Sequence, residues 1–307
     1  MLLYMKKNSN MKISKLGILG CIGNTPLIKI GNIFAKLETT NPTGSVKDRM
    51  VGYIVERAEE RGELKPGNKI IEVTSGNTGI ALSMISAVKG YKFTAVMPES
   101  MSIERRKMIE FFGGEIVLTP AKDDMAGAVK KYNELVNKNR NAWLPKQFSN
   151  PDNIAALKNG LGKEILKQMD GEIDAFVTGV GTGGTLIGVA KALKEAGSKA
   201  KIIAVEPKES AVLSGKKAGI HLIQGIGEGF IPEIVKENIN LIDEVIAVKG
   251  QAAVRMKNIL AKEFGVLVGI SSGANILAAR EIEKKYGYKR IVTILPDRGE
   301  RYLSKDI

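Results

Sequence analysis

The first candidate for chemistry is Lys47, in the run Asn41-Pro42-Thr43-Gly44-Ser45-Val46-Lys47-Asp48-Arg49. Ser45 and Asp48 have the S-x-x-D spacing of a capping box, which predicts a helix over 46–60 with Lys47 in its first turn. A cation there faces the positive end of the helix dipole, and burial would act in the same direction, so the neutral amine is favoured. A neutral lysine amine is a nucleophile that can form a Schiff base. The plain alternative is a solvated surface lysine.

Three further segments join a predicted strand or loop to a predicted helix. In Thr74-Ser75-Gly76-Asn77-Thr78-Gly79, hydroxyls, an amide and free backbone N–H groups converge at a helix start, which suits a carboxylate or a phosphate. Gly179-Val180-Gly181-Thr182-Gly183-Gly184-Thr185 satisfies G-x-G-x-x-G, and Glu206 stands at the end of the next strand, as in a dinucleotide fold. Thr182 and Thr185 add hydroxyls that suit a terminal phosphate monoester, so this loop by itself is divided between a dinucleotide and a cofactor phosphate. Gly269-Ile270-Ser271-Ser272-Gly273-Ala274-Asn275 enters another helix, and a serine N-cap is its simple explanation.

These segments are held by alternating elements. Runs 69–73, 93–97, 115–118, 175–178, 201–205, 244–248 and 290–295 have the β-branched, apolar character of buried strands. Runs 77–88, 103–112, 125–137, 154–168, 186–196, 252–264 and 274–285 have helical period. The alternation predicts an α/β fold with mostly parallel sheets, divided near Asn150-Pro151 into two α/β domains with a cleft between them.

Composition narrows the function classes. One cysteine, Cys21, and one histidine, His221, exclude an intramolecular disulfide and a His/Cys zinc cluster, so no metal is expected. Cys21 precedes a turn and reads as a small buried residue without chemistry. The run Met1 to Tyr4 is shorter than a signal-peptide core, and no apolar stretch approaches the roughly 20 residues that span a bilayer. A cytoplasmic protein with no membrane partner is expected. The net charge of +13 would suit a polyanion, but Lys and Arg are spread along amphipathic segments and aromatics make up only 5%, so nucleic acid is not an expected partner.

Taken in order, Gly23-Asn24-Thr25-Pro26-Leu27, the Lys47 run, the Thr74 to Gly79 loop, Gly181 to Thr185, Gln224-Gly225-Ile226-Gly227, Gly269 to Gly273 and Gly299-Glu300-Arg301-Tyr302 closely resemble the cysteine synthase (O-acetylserine sulfhydrylase) and cystathionine β-synthase family. The resemblance runs from about residue 16 to residue 304. It implies the tryptophan-synthase-β-like, fold type II architecture of pyridoxal 5'-phosphate (PLP) enzymes. Two three-layer α/β domains are implied, a smaller mobile one over 39–150 and a larger one over 13–38 with 151–307 that carries the phosphate loop.

By the same resemblance Lys47 carries PLP and later moves the α-proton, and Asn77 contacts the cofactor 3'-oxygen. Thr74, Ser75, Thr78 and Gln147 cradle the substrate α-carboxylate, Gly181, Thr182, Gly183, Gly184 and Thr185 hold the phosphate, and Ser271 faces the pyridine nitrogen. A neutral hydroxyl there makes the ring a weaker electron sink than an aspartate would, which favours β-elimination over transamination. The implied reaction is loss of acetate from O-acetyl-L-serine, an α-aminoacrylate intermediate and addition of sulfide to give L-cysteine. A homodimer is implied, as is a possible partner in the C-terminal tail of serine acetyltransferase.

Two departures bear on the reaction. Leu157, Gly160 and Leu161 stand where the family has a histidine and paired threonines, and Gly227-Glu228-Gly229 carries a glutamate where the family has a small apolar residue. A carboxylate disfavours an anionic nucleophile such as sulfide and suits water or an amine. Cysteine desulfhydration releasing hydrogen sulfide, O-phosphoserine as donor, and homocysteine addition giving cystathionine therefore stand as alternatives, with Lys216, Lys217 and Arg298 as cations for a phosphate donor. His221 reads as structural. Outside the family, an NAD dehydrogenase built on the glycine loop is the competing enzyme class. A silent scaffold of the same fold would be expected to lose Lys47.

Overall fold

The computed structural model describes residues 17–304 with the exception of Ser75. The first elements are β1 (Leu27–Ile30), β2 (Ile33–Leu37), α1 (Lys47–Glu60), β3 (Lys69–Val73), α2 (Asn77–Lys89), β4 (Lys92–Pro98), α3 (Ile103–Phe111), β5 (Glu115–Thr119) and α4 (Asp124–Lys138). They are followed by α5 (Pro151–Leu157), α6 (Lys163–Gln168), β6 (Ala175–Gly179), α7 (Gly184–Glu195), β7 (Lys201–Pro207) and α8 (Glu233–Lys236). The last are β8 (Glu244–Val248), α9 (Gly250–Phe264), α10 (Ile270–Tyr286) and β9 (Ile291–Leu295).

The strands form two sheets, one of six strands in the order β1-β2-β9-β6-β7-β8 and one of three in the order β3-β4-β5. All pairings are parallel except β1 with β2. Strands β6, β7 and β9 are buried almost throughout because helices cover both faces, which explains their continuous apolar runs. Alternation still sorts the side chains. Val177 packs in the core under α9 and α10, whereas Phe176 packs in the core under α5 and α7. Likewise Ile70 of β3 joins the core shared with α1 and α2, and Ile71 joins the one shared with α4.

Two elements differ from the sequence expectation. The hairpin β1–β2, with Ile30 opposite Ile33 and Gly31-Asn32 at its turn, lies ahead of the first expected strand. Its strands have only four and five residues, too few for period alone to separate from a loop. The helix expected over 154–168 is interrupted by a π-helical turn, Lys158–Gly162, between α5 and α6. The interruption lies against α7, where a side chain on Gly162 would meet Ala192 Cβ at 2.5 Å. Asn150 and Pro151 start α5: the Asn150 side chain accepts from Asp152 N, and Pro151 takes a first-turn position where no N–H is needed.

A buried ion cluster fixes α1 to the six-stranded sheet. Arg49 donates to Glu38 Oε2 at 2.6 Å through Nε and to both oxygens of Glu164 at 2.7 and 2.8 Å through its terminal nitrogens. Lys36 of β2 donates to Glu164 Oε2 at 2.7 Å, Thr25 O at 2.6 Å and Gln168 Oε1 at 2.9 Å. Paired two-point contacts of this kind fix orientation as well as distance. Burial pushes the Glu164 carboxyl up, but Arg49 and Lys36 outweigh it and hold it at about 2.

A carboxyl lowered on folding adds stability above its ordinary pKa, and that stability is lost as pH falls from 4.5 through about 2. Glu164→Gln is therefore expected to destabilise at neutral pH by about 3–5 kcal/mol, because Arg49 and Lys36 lose a buried counter-charge. In urea melts the wild-type and variant midpoints should converge as the pH is lowered from 5 to 2.

Candidate active site

The exits of β3, β6 and β9 and the starts of α1, α2, α7 and α10 converge on one cleft of about 870 Å³, open mouth included. This is where a parallel sheet collects strand carboxyl ends and helix N-termini. Lys47, Asn77, Thr78, Gln147, Gly181, Thr182, Gly183, Thr185, Glu228 and Ser271 all line it. Thr74 and Gly184 lie behind the lining, and Ser75 is outside the described residues.

Lys47 is the first residue of α1, and the turn before it is joined to the exit of β9. Val46 N donates to Pro296 O at 2.9 Å and Arg298 N to Gly44 O at 3.1 Å. The expected capping box does not form. Lys47 N donates to Ser45 Oγ at 3.3 Å, but Asp48 turns back to accept from Thr43 N at 2.7 Å and from the Thr43 hydroxyl. Ser45 is itself paired to Asp297 in an isolated bridge, and Arg301 holds the Thr43 and Gly44 carbonyls, so the turn is shaped from outside the helix. Burial raises the Asp48 carboxyl to about 6 despite those two hydrogen bonds. Burial also lowers the Lys47 amine, while the charges of Glu228 and Asp297 push it part of the way back up. The net direction is towards a neutral amine.

At the start of α2, Thr74 Oγ1 accepts from Gly76 N at 3.0 Å and Gly79 N at 3.2 Å, so its hydroxyl shapes the loop. Thr78 donates to Gln147 Oε1 at 2.7 Å, and Gln147 Nε2 donates to Val73 O at 3.2 Å. Two residues 69 positions apart are thus joined at the cleft wall. Asn77 Nδ2 donates to Asp297 Oδ2 at 2.8 Å.

The loop from β6 to α7 approaches its neighbours too closely for side chains. A Cβ on Gly181 would lie 2.5 Å from Gly225 O, and one on Gly184 would lie 1.9 Å from Asn153 Oδ1. Thr182 Oγ1 accepts from Asn153 Nδ2 at 3.0 Å and from Gly184 N at 3.4 Å, leaving its proton to donate. Bare backbone N–H groups, two threonine hydroxyls and the head of a twelve-residue helix are suited to cradle a phosphate. Ile226, Ile294 and Pro296 give the cleft apolar walls suited to an aromatic ring, and the Ser271 hydroxyl lies in the same lining from the first turn of α10. The donor set fits PLP, with a reactive lysine, a phosphate cradle and a neutral hydroxyl around one apolar slot.

The chain matches the family described as pyridoxal-phosphate dependent enzyme over residues 18–297. It belongs to that family. A cysteine synthase B of Campylobacter jejuni is 49% identical over 300 residues, covering 96% of this chain and 98% of the relative. A cysteine synthase crystal structure from Entamoeba histolytica superposes with a TM-score of 0.92 at 45% identity, covering 98% of this chain and 93% of that one. An O-acetylserine dependent cystathionine β-synthase from Helicobacter pylori gives a TM-score of 0.91 at 38% identity, covering 97% and 99%. The PLP dependence and fold type II architecture implied by the motifs therefore hold for this chain. The dehydrogenase reading of the glycine loop is set aside.

Several residues at the site were not singled out in the sequence. Asp297 and Arg105 line the cleft, Asn153 supports the phosphate loop, and Asn275 bridges Gly179 N at 2.8 Å to Ile294 O at 2.9 Å. Asp297 stands two residues beyond β9, where the rule that ligands bind at strand carboxyl ends would have flagged it. The cations considered for a phosphate donor lie outside the cleft lining. Lys216 and Lys217 are exposed, and Arg298 donates to Thr39 O at 2.7 Å. His221 Nε2 donates to Gly227 O at 2.9 Å, a structural tie within the loop that carries Glu228. Cys21 is exposed rather than buried, because the short helix Gly17–Cys21 lies on the surface.

Gly181→Ala is expected to weaken PLP binding at least about tenfold, because its methyl group would displace the Gly225 carbonyl and deform the cradle. Titrating apo-protein with PLP and following visible absorbance measures the change.

Proposed function

We propose that this chain is a cysteine synthase that forms L-cysteine from O-acetyl-L-serine and sulfide. The observation that carries the reading is the juxtaposition of Lys47, with its amine biased towards neutrality by burial, and the Gly181–Thr185 cradle in one cleft. The near-full-length similarity to cysteine synthases supports it. PLP, when bound, supplies the electron sink that acidifies an amino acid's α-proton and lets its β-substituent leave.

The roles follow from position. The Lys47 amine would carry the cofactor and, when free, would take and return the α-proton. Gly181, Thr182, Gly183, Gly184 and Thr185 hold the phosphate, and Asn77 offers an N–H to the 3'-oxygen. Thr78, Gln147 and Ser75 take the substrate carboxylate on the loop that Thr74 shapes. Ser271 would present a neutral hydroxyl to the pyridine nitrogen and bring no charge to hold a proton there. Residues 39–150 act as the smaller mobile unit that closes on 13–38 and 151–307. A cytoplasmic homodimer, with the serine acetyltransferase tail as a partner at the cleft, completes the proposal. Among the described residues no helix is long and apolar enough to cross a membrane.

A second reading is favoured by one observation. Glu228 lines the cleft and its charge acts on Lys47. A carboxylate there repels sulfide and suits water or the ammonium group of homocysteine, so hydrogen sulfide release from cysteine or cystathionine formation competes with sulfide addition. For O-phosphoserine as donor, Lys216, Lys217 and Arg298 are not in the lining, and Arg105 is the cation that is.

The purified protein is expected to be yellow after PLP is supplied, with its visible band moving to longer wavelength on O-acetylserine. Colour that Lys47→Ala cannot retain through dialysis would place the attachment there. A colourless protein would end the reading, and a shift with cysteine or O-phosphoserine alone would reassign the donor. Glu228→Ala is expected to raise the rate with sulfide relative to homocysteine and water by about tenfold, read as product ratios in competition assays. Unchanged ratios would remove the second reading.

A further inference from the structure

Asp297 is a charged residue in the cleft lining, just beyond β9. It is 2% exposed, and its Oδ2 accepts two hydrogen bonds of 2.8 Å, one from Asn77 Nδ2 and one from the buried Tyr302 hydroxyl. Asp297 Oδ1 and Asn77 Oδ1 are both buried without a hydrogen-bond partner among the described residues. The surrounding charges are Lys47 on α1, Arg105 on α3, with its guanidinium 4.6 Å from the Tyr302 ring centre, Asp48, Glu228 and Arg301.

An ionised carboxylate can only accept. It therefore dictates which end of the Asn77 amide faces it: the nitrogen must point at Asp297, and the flipped amide would set two oxygens against each other. One N–H of Asn77 is committed to Oδ2, and the second is left for a ligand oxygen, polarised by the charge behind it. Without Asp297 nothing on that side selects nitrogen over oxygen, and a flipped Asn77 would present an acceptor to an oxygen that needs a donor. Tyr302 donates to the same oxygen, Oδ2, and secures the carboxylate.

We propose that Asp297 is a positioning residue for cofactor binding: it orients the Asn77 amide so that an N–H, rather than the carbonyl oxygen, meets the 3'-oxygen of PLP. The proposal rests on the reading of this cleft as the PLP site. The same negative charge also acts on Lys47, opposing the effect of burial.

The test is a double-mutant cycle on PLP affinity and on the visible spectrum of the holoenzyme. Asp297→Asn preserves size but can present either end of its own amide, and Asn77→Ala removes the group being oriented. Each is expected to weaken PLP binding about tenfold and to displace the visible band, and the double variant is expected to bind no more weakly than either single one. Tyr302→Phe, which removes the other donor to the same oxygen, should keep the wild-type band. Thermal unfolding of each apo-protein establishes folding, and Asp297→Ser replaces Asp297→Asn if the latter does not fold. Losses that multiply in the double variant, or an Asp297 variant with wild-type affinity and band, would overturn the proposal while leaving the enzyme assignment intact. Failure of the wild type to take up PLP would instead remove the assignment on which it rests.

Discussion

A lysine amine that is to react near neutral pH has to be taken out of water, and an amine taken out of water needs a surrounding that tolerates it in either charge state. Lys47 meets that constraint by standing at the head of α1, where burial lowers its affinity for a proton while the charges of Glu228 and Asp297 oppose the effect. The opposition matters because the residue has to hold a proton as well as release one. Burial alone would make a nucleophile and a poor acid.

Placing Lys47 is the work of contacts that are mostly not its own. Two residues along the same helix, Arg49 is gripped by Glu38 and Glu164, and Glu164 is shared with Lys36 of β2. The turn ahead of it is bonded to Pro296, Arg298 and Arg301 at and beyond the exit of β9. A helix held through the turn before it by the exit of β9, and at its third residue by Glu38 and Glu164, cannot slide, so the amine is brought to the cleft with little freedom of position. Catalytic geometry of this kind depends on the shell behind the reacting group as much as on the group.

The cleft also divides its polar groups by the task each can do. Backbone N–H groups and threonine hydroxyls gather at the start of α7, where close approach excludes any side chain on Gly181. The hydrogen-bonded Thr78–Gln147 pair and the neutral Ser271 hydroxyl lie in the same lining. Full charges are concentrated around Lys47 and Asp297. Glu228 is among them, and its charge acts on Lys47.

Much of this was legible in the sequence because the information is local. Runs of β-branched residues marked the seven strands from residue 69 onward, and the Lys47, Thr74–Gly79 and Gly181–Thr185 segments were placed at helix starts by their own composition. Where local rules met a tertiary competitor, they failed. Ser45 and Asp48 have capping-box spacing, but Asp297 and Thr43 claim them. The helix over 154–168 is continuous in period, but close packing on α7 inserts a π turn. The hairpin β1–β2 depends on pairing with β9 to be a strand pair at all. Asn77 and Asp297 lie 220 positions apart, and nothing in either neighbourhood announces the other. Residue order alone was enough to specify strands, helices and ligand-bearing turns, because backbone period and side-chain type act over a few residues. Which side chains meet across the cleft was left to the folded chain, because hydrogen bonding and burial act between surfaces that topology brings together.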